Sequence, residues 1–142
     1  MDKSSRIASA TMVPANRKGV SELMKTLKAG GCIVVLPDQE PERESGTFAP
    51  FFGVETLTMT LVHGLAIKTG AQLLEVNVKR LPNGEGFNVV FRDANAVNTE
   101  DARASLTAMN AVIEEAVREI PEQYQWEYKR FKRRPEGKAH FY

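Results

Sequence analysis

An aspartate and an arginine on either side of the apolar run at residues 32–36 are the first candidates for chemistry. Asp38 follows the run at the carboxyl end of a predicted strand, where ligands collect in open α/β sheets. Arg17 precedes a predicted helix, and a carboxylate holds a guanidinium bidentately in a fixed orientation. Together they predict a charged pair at a site. The alternatives are an aspartate that caps a turn and an arginine that faces solvent.

Three phenylalanines lie close together in the long loop predicted for residues 38–53. Phe48, Phe51 and Phe52 fall within five residues, and a segment this apolar is uncommon in a solvent-exposed loop. Their side chains must be buried, touch lipid or line a pocket. Packing in the core and a wall that binds an apolar substrate are both consistent with this pattern.

The end of the chain interleaves aromatic and basic residues, although the whole chain has a net charge of only +1. Residues 121–142 contain three acids and six bases, which are Lys129, Arg130, Lys132, Arg133, Arg134 and Lys138. Such a segment can bind nucleic acid through phosphate contacts and stacking. It can also lie on an anionic membrane or a phosphorylated partner. The third interpretation is a terminal helix with packed aromatic residues and solvated charges.

The rest of the sequence contains no pattern for a metal ion or a cofactor. His63 and His140 stand alone, the single cysteine excludes an internal disulfide, and the glycines at residues 84–86 belong to a hairpin turn. We therefore predict no metal and no cofactor. Cys32 lies in the apolar run, so we expect a buried thiol in a reducing compartment.

Length and composition predict one globular domain. The chain has 142 residues, of which 42% are hydrophobic and 26% are charged. No segment approaches the roughly 20 apolar residues of a membrane span, and no signal peptide is visible, so we expect a soluble or peripheral chain. Residues 1–16 are expected to form a flexible arm, and residues 17–142 a single domain.

The hydrophobic pattern predicts an α/β fold, with a mixed sheet and packed helices. An amphipathic helix ends at the paired glycines before residue 32, and the apolar run that follows predicts a strand buried on both faces. The other predicted elements are a nearly apolar helix at 56–69 with Gly64 closely packed, a half-buried hairpin at 74–91, a helix at 98–120 and a short terminal helix after Pro121.

Four motifs occur in an order that resembles a known family. They are Leu36-Pro37-Asp38-Gln39, the block from Gly46 to Gly53, Thr69-Gly70-Ala71, and Pro121-Glu122-Gln123-Tyr124 followed by Trp126 and Arg130-Phe131-Lys132-x-Arg134-Pro135. Their order and spacing resemble the bacterial late acyltransferases of lipid A biosynthesis, the lauroyl and myristoyl transferase type. Each motif alone is weak, whereas the ordered set, over about residues 17–135, is specific.

The resemblance implies transfer of a fatty acyl group from acyl carrier protein to a hydroxyacyl chain of a lipid A precursor. The reaction belongs to the cytoplasmic face of the inner membrane of Gram-negative bacteria. In this family a histidine takes the proton from the acceptor hydroxyl, and an acidic residue that follows it orients the histidine. Arg17 and Asp38 match supporting positions that stabilise charge on the substrate or the oxyanion.

The resemblance also implies a substrate for the three phenylalanines and for the basic tail. The three phenylalanines would form the wall for the acyl chain. The basic tail would contact the phosphates of the lipid A precursor or the acidic carrier protein, through Arg130, Arg133 and Arg134. This places the supporting half of an active site in the sequence.

The sequence departs from the family because no histidine in it is followed, after four intervening residues, by an acidic residue. That motif and the family's N-terminal membrane helix belong upstream of Arg17, so we expect a truncated chain that transfers no acyl group alone and self-associates. The alternatives are a non-enzymatic module that binds lipid or acyl carrier protein, and a transferase for another membrane glycolipid. Nucleic-acid binding is not expected.

Overall fold

The computed structural model describes residues 10–142, which fall into two compact units, one ending at Val34 and the other running from Val35 to Tyr142. Helices and strands alternate along the chain, so the predicted α/β class is confirmed, although the strands form two separate antiparallel pairs. The elements are α1 (Arg17–Lys28), β1 (Gly46–Phe51), β2 (Val54–Met59), α2 (Leu61–Thr69), β3 (Leu74–Arg80), β4 (Phe87–Asp93) and α3 (Ala102–Glu119).

The first unit contains α1, the predicted amphipathic helix. The side chain of Asn16 caps it by accepting a hydrogen bond from the Gly19 amide at 3.1 Å. Gly30 takes the left-handed conformation (φ 78°) just beyond the helix, as the paired glycines predicted. This part of the sequence prediction is confirmed.

Residues 32–36 do not form the predicted buried strand. They have no regular secondary structure, Cys32 is exposed, and Val34 and Leu36 keep 86% and 62% of their accessible surface. An apolar run becomes a strand only when a neighbouring strand pairs with its backbone, and no strand in residues 10–142 does so. The expected core position of Cys32 is therefore wrong.

The β1–β2 hairpin replaces the second half of the predicted loop and the first four residues of the predicted second helix. Its register pairs Gly46 with Met59 and Phe51 with Val54. The β-branched residues Thr56 and Thr58 are completely buried within it, and such residues favour strands. Only residues from Leu61 onward form α2.

Helix α3 supports this hairpin. Its apolar stripe is buried as predicted, and it shares a core with Ala49 of β1. Asn110, in the middle of the stripe, donates to the carbonyl oxygen of Pro50 at 2.9 Å and to Thr58 Oγ1 at 3.0 Å. Because these partners lie on neighbouring strands, one buried amide fixes both strands to the helix.

The β3–β4 hairpin is antiparallel as predicted, but its apolar face is exposed. The opposite, polar face contacts α3: Asn77 donates to the Ala116 carbonyl oxygen at 3.4 Å, and Arg92 pairs with Glu75 at 2.8 Å and with Glu119 at 2.5 Å. Strand alternation correctly gave two different faces. It could not show which face the rest of the chain covers.

Two predictions about the remaining elements are wrong. Pro121 starts only one 3-10 turn, Pro121–Gln123, and no regular helix follows it. Gly64 is not closely packed, because a Cβ atom built there meets no atom within 4 Å. Gly46, by contrast, lies in a close contact with side chains, since its Cβ would lie 2.6 Å from Pro41 Cγ and 2.9 Å from Leu57 Cγ.

We therefore expect Gly46→Ala to lower the free energy of unfolding by about 1–3 kcal/mol, the usual range for overpacking. Gly64→Ala is the matched control. It should raise the free energy of unfolding by about 0.5–1 kcal/mol, because alanine restricts the unfolded chain and favours the helix. Urea denaturation of both variants measures the difference, and equal effects would contradict this account of Gly46.

Candidate functional site

The C-terminal tail (residues 121–142) packs against the β1–β2 hairpin through an aromatic–arginine cluster. The cluster consists of Phe51, Phe52, Tyr124, Arg130 and Phe131. It brings together residues from the glycine-flanked block and from the basic tail, two of the motifs that the sequence singled out. These motifs lie far apart in the sequence and meet only in the folded chain.

Phe51 lies at the centre of the cluster and is only 1% exposed. Its ring centroid is 4.8 Å from that of Phe52, 5.8 Å from that of Phe131 and 6.4 Å from that of Tyr124. These separations are within the range of favourable aromatic pairs. The Phe51 ring is therefore covered by side chains of this chain, whereas Phe52 keeps part of its surface accessible.

Phe52 occupies a strained position in the turn between β1 and β2. It has φ 50° and Gly53 has φ 73°, so both central residues have the positive φ that a type I′ turn requires. A bulky residue in this region costs about 1–3 kcal/mol. Helix α3 holds it there: the Phe52 amide donates to Glu114 Oε1 at 2.6 Å, and the Arg118 guanidinium lies 4.8 Å from the ring centroid.

Arg130 is buried, with 3% of its surface exposed. Its Nη1 donates to the Leu57 carbonyl oxygen at 2.6 Å, its Nη2 to Thr58 Oγ1 at 3.3 Å, and its guanidinium lies 5.5 Å from the Phe51 ring centroid. Burial lowers the pKa of Arg130, and the nearby Tyr124 oxygen is the largest effect that opposes this. The guanidinium thus attaches the tail to β2.

The next two arginines also bind main-chain oxygens. Arg133 Nη1 donates to the Pro41 carbonyl oxygen at 2.6 Å, and its Nε lies 3.4 Å from Glu40 Oε1. Arg134 Nη1 donates to the Glu55 carbonyl oxygen at 2.9 Å. Both side chains are partly buried, so the basic tail is less free for external phosphates than its sequence suggests. Their substrate-binding role stays a prediction.

Asp38 lies within electrostatic range of the cluster. Burial raises the pKa of Tyr124 to about 12, and the negative charge of Asp38 is the second cause. The same carboxylate raises the pKa of Arg130 against the effect of burial. Asp38 makes no ion pair within residues 10–142, so its partly buried carboxylate remains available for another partner.

The remaining candidate residues lie outside this cluster. Arg17 is the exposed first residue of α1 in the first unit, whereas Asp38 belongs to the second unit, so their pairing stays a prediction. Phe48 is partly buried on the side of β1 opposite to Ala49, and its carbonyl oxygen accepts a hydrogen bond from Arg103 at 3.0 Å.

Two important polar residues were missed as individual candidates. The Gln123 side chain accepts from the Arg80 amide at 2.9 Å and donates to the Arg80 carbonyl oxygen at 3.0 Å, so it pairs with β3 as a strand would. Its place in the Pro-Glu-Gln-Tyr motif was the only signal. Asn110 had a clearer one, because a polar residue in a buried apolar stripe must find partners.

The cluster and the residues around it combine charged and apolar groups. Asp38 and the arginines at 130, 133 and 134 provide electrostatic and hydrogen-bonding groups, and Phe48 and Phe52 keep part of their apolar surface accessible. Comparison with known proteins then decides the family.

Residues 3–133 match the sequence profile of the family described as bacterial lipid A biosynthesis acyltransferase. The match covers both units and includes the whole aromatic–arginine cluster. The chain belongs to this family. The resemblance inferred from the four ordered motifs is therefore confirmed.

Three curated relatives of this lipid A acyltransferase family member agree with the family assignment. A lipid A biosynthesis lauroyltransferase of Escherichia coli K12 is 35% identical over 124 residues, which are 86% of this chain and 40% of that protein. A palmitoleoyltransferase of the same strain is 32% identical over 127 residues, 89% of this chain and 42% of that protein. A Haemophilus influenzae lipid A biosynthesis acyltransferase is 27% identical over 127 residues.

The chain spans about two fifths of the length of the curated relatives it matches. Among the helices in residues 10–142, none combines the length and the hydrophobicity that crossing a bilayer requires. The matched part of the family sequence contains the β1–β2 hairpin, α3 and most of the tail packed on them.

The raised pKa of Tyr124 predicts a specific alkaline transition for this family member. The folded state favours the protonated phenol, so the associated stability is complete below pH 10.0 and is lost as the pH rises to about 12. Tyr124→Phe keeps the ring and should remove this part of the pH dependence. Urea unfolding across that pH range measures it.

The control for this experiment is Tyr142→Phe, which changes an exposed tyrosine at the end of the chain. It should lose stability with rising pH as the unaltered chain does. If the Tyr124→Phe variant lost stability as steeply as the unaltered chain between pH 10 and about 12, the raised pKa of the Tyr124 phenol would not be the cause of that loss.

Proposed function

We propose that this chain forms part of an acyltransferase that moves a fatty acyl group from acyl carrier protein to a hydroxyacyl chain of a lipid A precursor. The observation that carries the proposal is the family match over residues 3–133, which includes the aromatic–arginine cluster. Lauroyl and palmitoleoyl transfer by the named relatives supports a fatty acyl donor. The site of action is then the cytoplasmic face of the inner membrane of a Gram-negative bacterium.

In this proposal the cluster orients the substrate, and a histidine outside this sequence removes the proton from the acceptor hydroxyl. Asp38 and Arg17 stabilise charge near the reacting groups. Phe48, Phe51 and Phe52 form the apolar wall, in which buried Phe51 supports the more accessible ring of Phe52. The chain alone is expected to transfer no acyl group, because it has no histidine with an acidic residue five positions later.

A chimera tests the activity. The aligned segment of the Escherichia coli lauroyltransferase is replaced by this chain. Transfer of the lauroyl group from lauroyl-acyl carrier protein to a lipid A precursor is then measured. We expect transfer by the chimera and none by the 142-residue chain. Asp38→Asn in the chimera should lower kcat by roughly a hundredfold to a thousandfold, the usual range for loss of an electrostatic stabiliser.

The matched control is Glu115→Gln, an exposed carboxylate on α3 that is changed in the same way. It should leave transfer unchanged. A chimera that folds and accumulates normally but transfers nothing would refute the proposal, and so would transfer by the isolated chain. The latter would mean that a different group removes the proton.

We propose that the exposed bases of the tail bind the anionic surface of the membrane or of the carrier protein. Arg130→Glu would be uninformative, because a buried carboxylate facing the Leu57 carbonyl would disrupt the fold. Lys129→Glu with Lys132→Glu reverses exposed charges instead. This variant should bind anionic vesicles or carrier protein more weakly at low salt, with a smaller salt dependence.

The control for tail binding is Lys68→Glu, a reversal of an exposed base at the end of α2. It should bind like the unaltered chain. Equal salt dependence in all three proteins would contradict a role for the tail. The non-enzymatic module would be favoured if vesicles or carrier protein bound normally while every chimera stayed inactive.

We also propose that the chain by itself self-associates. The support is its exposed apolar surface: the β3–β4 hairpin has six large apolar side chains that retain between 48% and 67% of their accessibility. Continuous exposed surface of this kind is uncommon on monomeric proteins.

A further inference from the structure

The exposed face of the β3–β4 hairpin is a continuous apolar surface with one charge at each end. The register places four cross-strand pairs on it: Leu74 with Asp93, Val76 with Phe91, Val78 with Val89, and Arg80 with Phe87. Side chains of paired residues lie on the same face of a sheet. The six apolar side chains therefore form one patch, with Asp93 at one end and Arg80 at the other.

Helix α3, which packs against the hairpin, does not cover this face. The opposite face, with Asn77 and Arg92, is the one that contacts α3. Arg80 and Asp93 are both exposed, and within residues 10–142 neither makes an ion pair. Within residues 10–142 the apolar patch is thus uncovered and neither charge has an ion-pair partner, while Asn95 Nδ2 donates a hydrogen bond to Asp93 Oδ1 at 2.5 Å.

We propose that this face binds the same face of a second copy of the chain. Two hairpins stack face to face about a two-fold axis that crosses the strands, so the Arg80 end of each copy lies over the Asp93 end of the other. A two-fold interface must be complementary to itself. The patch has a base at one end and an acid at the other, so the two-fold axis creates two ion pairs between Arg80 of one copy and Asp93 of the other. The inference rests on the self-association proposed above and assigns it to specific residues.

The size of the patch is sufficient for a weak dimer. An aromatic side chain buries 150–250 Å² and an aliphatic one less, so two phenylalanines and four aliphatic side chains, each about half to two-thirds exposed, offer roughly 500–600 Å² per copy. The pair then buries roughly 1,000–1,200 Å², at the lower end for specific protein interfaces. We therefore expect a dimer with a dissociation constant in the micromolar range.

Charge favours a second copy over a lipid surface as the occupant. The patch has one base and one acid, so it is electrically neutral. An amphipathic surface that binds an anionic membrane usually surrounds its apolar residues with an excess of bases. On this face of the hairpin Arg80 is the only base, and Asp93 balances its charge.

Charge reversal with rescue tests the interface. The unaltered 142-residue chain is compared with Arg80→Glu, Asp93→Lys and the double variant by sedimentation velocity over a range of concentrations. Each single variant should weaken the dimer about tenfold, since it removes two rim ion pairs and introduces repulsion. The double variant should restore the original dissociation constant, which also shows that the fold is intact.

Two further variants complete the test. Lys79→Glu, a neighbouring exposed base on the other face, is the matched control and should dimerise normally. Val76→Lys with Phe91→Glu places opposite charges directly across the hairpin, which preserves it, and should abolish the dimer. Circular dichroism and thermal unfolding verify that each variant is folded.

The outcomes separate this inference from the proposals before it. A monomer at all concentrations would overturn both self-association and the interface. A dimer that is insensitive to these variants would leave self-association standing and overturn the hairpin assignment. Binding to neutral phosphatidylcholine vesicles that is lost in the Val76→Lys, Phe91→Glu variant, without a dimer, would make lipid the occupant. Acyl transfer by the chimera is independent of all three results.

Discussion

The buried guanidinium of Arg130 fixes the relation between the C-terminal tail and the β1–β2 hairpin. A buried charge without a directly bonded carboxylate is costly, and here the Leu57 carbonyl, the Thr58 hydroxyl and the Phe51 ring offset the cost. These groups come from both strands of the hairpin. This side chain therefore joins the tail to both strands at the point where Tyr124 and Phe131 pack against Phe51.

Helix α3 also holds the hairpin through buried polar groups. Asn110 binds both strands, and its bond to Thr58 Oγ1 meets that of Arg130 at the same atom. Glu114 holds the strained turn at Phe52. Polar contacts of this kind specify one arrangement, because each buried donor must find its acceptor or lose a hydrogen bond. The turn at Phe52 is thus attached to α3, and its ring lies beside that of Trp126.

Family membership gives this arrangement a meaning that the geometry alone does not. The cluster and Asp38 lie in the part of the chain that matches the family profile. In the sequence, no histidine is followed five positions later by an acidic residue. The apolar β3–β4 face and the basic tail are the two surfaces with the clearest chemical preference.

The sequence by itself determined the local elements and the family. Periodicity located α1 and the buried stripe of α3, the glycine-rich turn located the β3–β4 hairpin, and four ordered motifs identified the acyltransferase family. These features depend on contacts between residues close in the chain, or on motif order. Tertiary structure decided the rest: residues 32–36 find no pairing strand among residues 10–142, residues 54–59 pair with β1, and Arg130 is buried. Each depends on a partner distant in sequence, and alternation cannot show which face that partner covers.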